Sequence, residues 1–153
     1  MAFFDAMNIS ATGLTAQRLR MDVISENIAN VNTTRTLEGG PFRRKTVIFQ
    51  EIQETPFSAL LADTVDPTAG AHRRRPLGMG VRVSQIVQDP SDGPLVYDPA
   101  HPDANAEGYV AMPNINIVEE MVNMISASRS YEANITAINT SRALMQRTLE
   151  IGQ

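Results

Sequence analysis

The chain has no cysteine and no tryptophan, and only 5% of its 153 residues are aromatic. Without cysteine there is no disulfide framework and no thiolate chemistry. With so few aromatic residues, a core must be built mainly from isoleucine, valine, leucine, methionine and alanine, which favours helix packing over a large β-sandwich. The net charge of -4 argues against nucleic acid as a partner, because phosphate binding requires a clustered positive field.

Residues that could carry catalysis or bind a metal are equally scarce. The two histidines, His72 and His101, have no second ligand at a spacing that would hold a metal ion. The sequence contains no nucleophile elbow, phosphate-binding glycine loop or dinucleotide-binding motif. Two basic clusters, 43–45 and 73–75, lack interleaved aromatic residues, so solvated loop charge is the favoured interpretation, with an acidic partner surface as the alternative for 73–75. We predict neither an enzyme nor a binding site for a cofactor or metal.

Proline is absent from both ends of the chain. All nine prolines lie between Pro41 and Pro113. Because proline breaks helix interiors, we predict three parts: an N-terminal helix in 1–32, a β-rich module in 33–113 and a C-terminal helix in 114–153. The N-terminus lacks the basic and apolar stretches of a cleaved secretory signal, and no apolar run approaches the roughly 18 residues of a membrane span.

Apolar residues recur at helical spacing in both proline-free ends. A seven-residue repeat near the N-terminus predicts a helix over roughly 5–31, and its members are Met7, Leu14, Met21 and Ile28. Near the C-terminus, alternating steps of three and four predict a helix over roughly 116–150, beginning at a capping box formed by Asn116 and Glu119. The apolar members of this second ladder are Met121, Met124, Tyr131, Ile135, Ile138, Met145 and Leu149. All of these residues are candidates for packing between subunits.

The predicted fold class is α+β, with two long terminal helices forming an antiparallel coiled coil and a small β-rich module inserted between them. Runs rich in β-branched residues predict four strands, at 44–52, 80–88, 95–97 and 109–112. Residues 53–80 lack a clear period and contain three prolines, so a long mobile loop is expected there.

Two helices of this length cannot bury all of their apolar surface on each other. After one stripe of each helix has been used for pairing, the opposite faces still carry apolar residues, namely Ile9, Ala16, Val23, Val118, Val122, Ile125, Ala137 and Leu144. The residues leave three interpretations open. The chain is an isolated two-helix coiled coil, or its remaining surface packs on neighbouring subunits, or its helical hairpin is a binding module that captures a partner helix.

Several motifs occur in an order that resembles the flagellar rod and hook proteins. The first predicted helix ends in a motif that contains Asn27, Ala29 and Asn30, and GPFRRK follows at 40–45. The segment GYVAMPN at 108–114 contains Gly108, Tyr109, Pro113 and Asn114, and SASRSYEAN at 126–134 contains Tyr131, Ala133 and Asn134. In distal rod and hook proteins, a glycine follows the asparagine motif more directly. Here residues 33–37 separate the motif from Gly39, so the resemblance points to the proximal rod type.

The resemblance implies a structural subunit without catalysis or cofactor. Such a subunit would leave the cell through the flagellar type III export apparatus without signal cleavage. It would then polymerise through its terminal helices, with itself and other flagellar rod proteins, into the tubular shaft that crosses the periplasm and transmits torque. Surrounding ring proteins are further expected partners. The alternatives are a coiled-coil binding module or adaptor, or another axial protein of the distal rod or hook type.

Overall fold

The computed structural model describes residues 2–52 and 79–151. The first helix, α1, spans Ala2–Ala29, and the second, α2, spans Ile117–Ile151. Between them in the chain lie four strands, which are β1 at Lys45–Glu51, β2 at Val81–Gln88, β3 at Leu95–Tyr97 and β4 at Tyr109–Ala111. The loop predicted at 53–80 lies outside the described residues, except for its last two positions.

The predicted α+β class is confirmed, and the predicted helices and strands agree closely with those observed. The Asn116 side-chain oxygen accepts hydrogen bonds from the amides of Val118 at 3.0 Å and Glu119 at 3.5 Å. These bonds satisfy two of the N–H groups that the first turn of α2 leaves unpaired. After α1, the Asn30 side-chain amide donates to the Glu26 carbonyl at 2.9 Å and so occupies an acceptor near the helix end.

The two helices pack against each other in antiparallel orientation. Where α1 ends and α2 begins, the Asn27 amide donates to the Glu120 carboxylate at 3.0 Å. Further along, Gly13 lies against Asn134, whose side chain comes within 3.0 Å of the place a Cβ would occupy. In both helices these two contacts are 14 residues apart. One register therefore holds over about four turns.

The line of contact between the helices, which we call the seam, consists largely of small or polar residues. We derive the seam positions from the two observed contacts, Asn27–Glu120 and Gly13–Asn134, by taking steps of alternately three and four residues along each helix. They are Gly13, Ala16, Arg20, Val23 and Asn27 on α1, and Glu120, Met124, Ala127, Tyr131 and Asn134 on α2. Ala16, Val23 and Ala127 are buried, Ala127 completely. Such small side chains allow the two backbones to approach closely.

The first sheet is the antiparallel pair β1–β2, which contains a β-bulge next to Ile48 and lies against α1. The Thr12 hydroxyl oxygen accepts a hydrogen bond from the Val81 amide at 3.1 Å. At the other end of the sheet, Lys45 forms an ion pair with Glu26. Both contacts use one flank of α1, so the sheet covers that flank of α1.

The second sheet is the antiparallel pair β3–β4. Val110 on β4 is buried, while Tyr97 and Tyr109 meet edge to face at a centroid distance of 5.3 Å and remain largely exposed. The Thr34 hydroxyl donates to the Asp103 carboxylate at 2.8 Å. This bond ties the connection between β3 and β4 to the segment that leads from α1 to β1.

Gly80 allows the first sheet to dock closely on α1, and Gly80→Ala is expected to cost about 2–4 kcal/mol of stability. Its φ is +121°, and an added Cβ would lie 2.2 Å from the Thr12 hydroxyl oxygen. Gly39→Ala is the matched control, because Gly39 has φ +89° with nothing within 4 Å of the added Cβ. The control should lose only about 1–2 kcal/mol. Urea unfolding measures both, and equal losses would show that close packing against Thr12 does not matter.

Candidate assembly interface

A buried polar cluster joins the helix pair to the first sheet, and we call it the joint. Glu120 is 1% exposed and Asn27 is 1% exposed. The Arg44 guanidinium donates to Glu120 Oε1 from Nε at 2.9 Å and from Nη2 at 2.6 Å. Asn27 donates to the other Glu120 oxygen and also exchanges two bonds of 2.9 Å with the Lys45 backbone. The buried carboxylate is therefore both paired and hydrogen-bonded, as burial of a charge requires.

The joint corrects the interpretation of the 43–45 cluster as solvated loop charge. Arg44 binds a nearly inaccessible carboxylate, and Lys45 pairs with Glu26. Arg43 alone fits the prediction, since it pairs at 3.2 Å with the exposed Asp92. Sequence periodicity gave no signal for the Arg44 contact, because its partner lies 76 residues away in the chain. Asn27 was selected through the family motif, but no partner for its side chain was predicted.

The other motif residues hold the fold together locally. Asn30 accepts a hydrogen bond from the Thr33 hydroxyl at 3.1 Å, and Gly108 has φ +84° beside the Tyr97 ring. Pro113 is buried, and Asn134 donates to the Ser130 carbonyl at 2.9 Å beside Gly13. The remaining motif residues are Tyr131, half-buried, and Ala29, Tyr109, Asn114 and Ala133, all exposed.

The structure divides the predicted packing residues into two groups. Four residues of α2 are half-buried on the seam or its continuation, namely Met124, Tyr131, Ile138 and Met145. The others lie beside the seam: Met7, Leu14, Met21 and Ile28 on α1 are half-buried, while Met121, Ile135 and Leu149 on α2 are 49%, 38% and 68% exposed. The helix pair thus leaves much of the predicted apolar surface uncovered.

Six of the predicted packing residues lie on one side of the helix pair. Each residue of an α-helix is turned by about 100° from the last. This rotation places the four predicted packing residues of α1 on the flank opposite Thr12 and Glu26. Met121 and Ile135 take the corresponding flank of α2, and antiparallel packing turns both flanks to the same side. We call this surface the apolar side, formed by Met7, Leu14, Met21, Ile28, Met121 and Ile135. The first sheet covers the opposite side.

The part of the chain that the structure describes contains no cluster of three or more side chains suited to holding a metal ion. Neither α1 nor α2 has a stretch long and apolar enough to cross a membrane. The features that stand out are thus a polar joint and an uncovered apolar side, both of which concern packing.

Comparison with known proteins identifies the family. A family described as flagella basal body rod protein matches residues 7–35, and one described as flagellar basal body rod FlgEFG protein C-terminal matches residues 106–151. The flagellar basal-body rod protein FlgC of Borreliella burgdorferi is 49% identical over all of this chain and 99% of its own length. The protein of the same name from Bacillus subtilis is 48% identical, and that of Salmonella typhimurium 39%, each over the full length of both chains. The chain belongs to the FlgC family of flagellar basal-body rod proteins.

Membership of the FlgC family settles the broad function. The chain is a structural subunit of the flagellar basal-body rod, and its relatives are structural proteins rather than enzymes. A rod family implies assembly with other flagellar rod proteins in the basal body. One family match covers most of α1, and the other covers all of α2.

Proposed function

We propose that this chain polymerises through α1 and α2, with further copies and other rod subunits, into the tubular drive shaft that transmits torque. The apolar side carries this proposal. Its α2 residues Met121 and Ile135 remain 49% and 38% exposed although they lie next to the intramolecular seam. An uncovered apolar stripe of this kind marks a protein interaction surface.

The energy available from the apolar side suits repeated association. Full burial of a methionine, leucine or isoleucine side chain contributes roughly 1.5–3 kcal/mol, so covering the remaining exposed area of the six side chains offers a few kcal/mol per subunit. The intramolecular seam relies on small residues such as Ala16 and Ala127 instead. We infer that helices of neighbouring subunits supply the larger apolar contacts, in coiled-coil packing around the axis of the tube.

The joint supports an arrangement with the helices inside and the module outside. Glu120 on α2, Asn27 on α1 and Arg44 beside β1 hold the sheet to the side of the helix pair opposite the apolar side. When the apolar side packs inward on neighbouring helices, the first sheet faces outward. A buried, fully bonded ion pair resists changes in its geometry, which suits a subunit under torsional load.

We further propose the route and place that the resemblance implies. The chain would be exported by the flagellar type III apparatus without cleavage of a signal peptide and would act in the periplasmic rod, where ring proteins surround it. The order of motifs and the agreement with FlgC proteins over the full chain support this proposal.

Deletion of the gene, combined with isolation of basal bodies, tests the proposed function. We expect the full-length chain in purified basal bodies of the parent strain, with its N-terminus unprocessed by mass spectrometry. We expect no completed rod in the deletion strain, and restoration by the wild-type gene. Complete rods in the deletion strain, or absence of the chain from basal bodies, would instead favour a soluble binding module or adaptor.

A further inference from the structure

Leu37 stands out as an apolar side chain held fully in water, with a relative exposure of 108%. It occupies the tip of a short loop in which the Thr36 amide donates to the Gly40 carbonyl at 2.9 Å and the Gly39 amide to the Thr36 carbonyl at 3.1 Å. Both glycines have positive φ, 89° and 77°. An apolar side chain on a fixed backbone loses little entropy when a partner covers it.

The base of this loop is attached to the rest of the module. The Phe42 amide donates to the Thr33 carbonyl at 3.0 Å, and the Phe42 ring is 8% exposed. On the other side of the loop, Arg35 forms an ion pair of 3.7 Å with Asp103. The loop therefore holds Leu37 out from the surface in a defined position, and we call residues 35–40 the knob.

A matching apolar surface occurs on the outside of α2. Val118, Val122 and Ile125 are 64%, 61% and 55% exposed, with Met121 at their border. Their spacing of four and three residues places them on one face of the helix. That face points away from α1, because Glu120 and Ala127 on the seam lie on the other side. We call Val118, Val122 and Ile125 the outer patch.

The charges around the knob and the outer patch are complementary. Leu37 stands between Arg35, whose side chain is 78% exposed, and Glu38. Glu119 lies between Val118 and Val122 of the outer patch, Arg129 lies one turn beyond Ile125, and both charged residues are exposed. Among the residues that the structure describes, Glu38, Glu119 and Arg129 have no ion-pair partner. Complementary charges of this kind fix the orientation of an interface.

We propose that the knob of one copy packs on the outer patch of a second copy, with Leu37 over Val122. Arg35 then approaches Glu119, and Glu38 approaches Arg129. Because the contact joins two different surfaces, each bound copy still presents a free knob or a free patch, so the contact builds an open array rather than a closed dimer. This inference rests on the proposed function, since an open array is what a rod requires.

Disulfide trapping tests the contact without background, because the chain has no cysteine of its own. Full-length Leu37→Cys and Val122→Cys chains are produced together in place of the wild type, and isolated basal bodies are oxidised and separated on a non-reducing gel. We expect the mixed dimer to exceed either symmetric dimer by at least about tenfold, since only cysteines with Cα atoms within about 7 Å can join. A chain with both substitutions should give a ladder of oligomers.

Ser84→Cys combined with Val122→Cys is the matched control, because Ser84 is exposed on β2, away from the knob. The control should give no dimer above the level of single-cysteine chains. A predominance of Val122–Val122 dimers, or equal trapping with Ser84→Cys, would overturn the proposed contact. The same would follow if the chain is present in basal bodies but no mixed dimer forms. Absence of the chain from basal bodies would instead refute the proposed function.

Discussion

Arg44→Ala is expected to lower the free energy of unfolding by about 3–5 kcal/mol, one of the two largest effects we predict. The guanidinium makes two hydrogen bonds to Glu120, whose side chain is only 2% exposed. Without Arg44, the buried carboxylate keeps only the Asn27 amide as a donor among the described residues. Urea denaturation of the purified chain, followed by far-ultraviolet circular dichroism, measures the loss.

Two further variants show whether a buried charge causes the loss. Arg43→Ala should change stability by no more than about 0.5 kcal/mol, because Arg43 pairs at the surface with Asp92, which is 93% exposed. Arg44→Met combined with Glu120→Leu should recover part of the stability, since no charge then stays buried although the Asn27 amide loses one acceptor. The explanation is wrong if Arg43→Ala is as harmful as Arg44→Ala, or if the double variant is no better than the single one.

The elements of the fold could be predicted from local properties of the sequence. The proline-free ends and the steps of three and four located both helices within a few residues, since these signals act within one or two turns. Runs such as Thr46-Val47-Ile48 located the strands for the same reason. The Asn116 half of the predicted capping box, which depends on residues two and three positions away, was predicted correctly.

The seam and the joint could not be predicted in this way. A periodicity search selects large apolar residues. The contact between α1 and α2 instead includes Gly13, Ala16 and Ala127, whose small side chains allow the helices to approach closely. The burial of Arg44 depends on a carboxylate 76 residues away, and no local pattern records that distance. The largest apolar residues were found readily, but most of them lie beside the seam rather than on it.

The joint also bears on the predicted division of the chain at residues 32 and 113. Asn27 precedes the first boundary, Arg44 lies within the module, and Glu120 follows the second boundary, yet the three side chains form one bonded cluster. Loss of any one of them leaves the others with unsatisfied polar groups. The helix pair and the first sheet are therefore coupled in stability.

Ile135→Asp is expected to abolish rod assembly and motility while costing the isolated chain only about 1–2 kcal/mol of stability. Ile135 is 38% exposed on the apolar side, so a carboxylate there stays in contact with water in the isolated chain. In an assembled rod the same carboxylate would be covered by a neighbouring helix without a partner, at a cost of several kcal/mol per subunit. Swimming in soft agar and electron microscopy of basal bodies measure the effect.

Thr136→Asp is the matched control for this prediction. It adds the same charge at the next position, which is exposed and lies about 100° round the helix from Ile135, on the outer face of α2 but about three turns beyond Ile125 of the outer patch. Cells with Thr136→Asp should swim and build complete rods. Normal swimming with Ile135→Asp would show that the apolar side is not a subunit interface. Equal loss of motility in both variants would show that α2 tolerates no added charge on either face, and the apolar side would then have no special role.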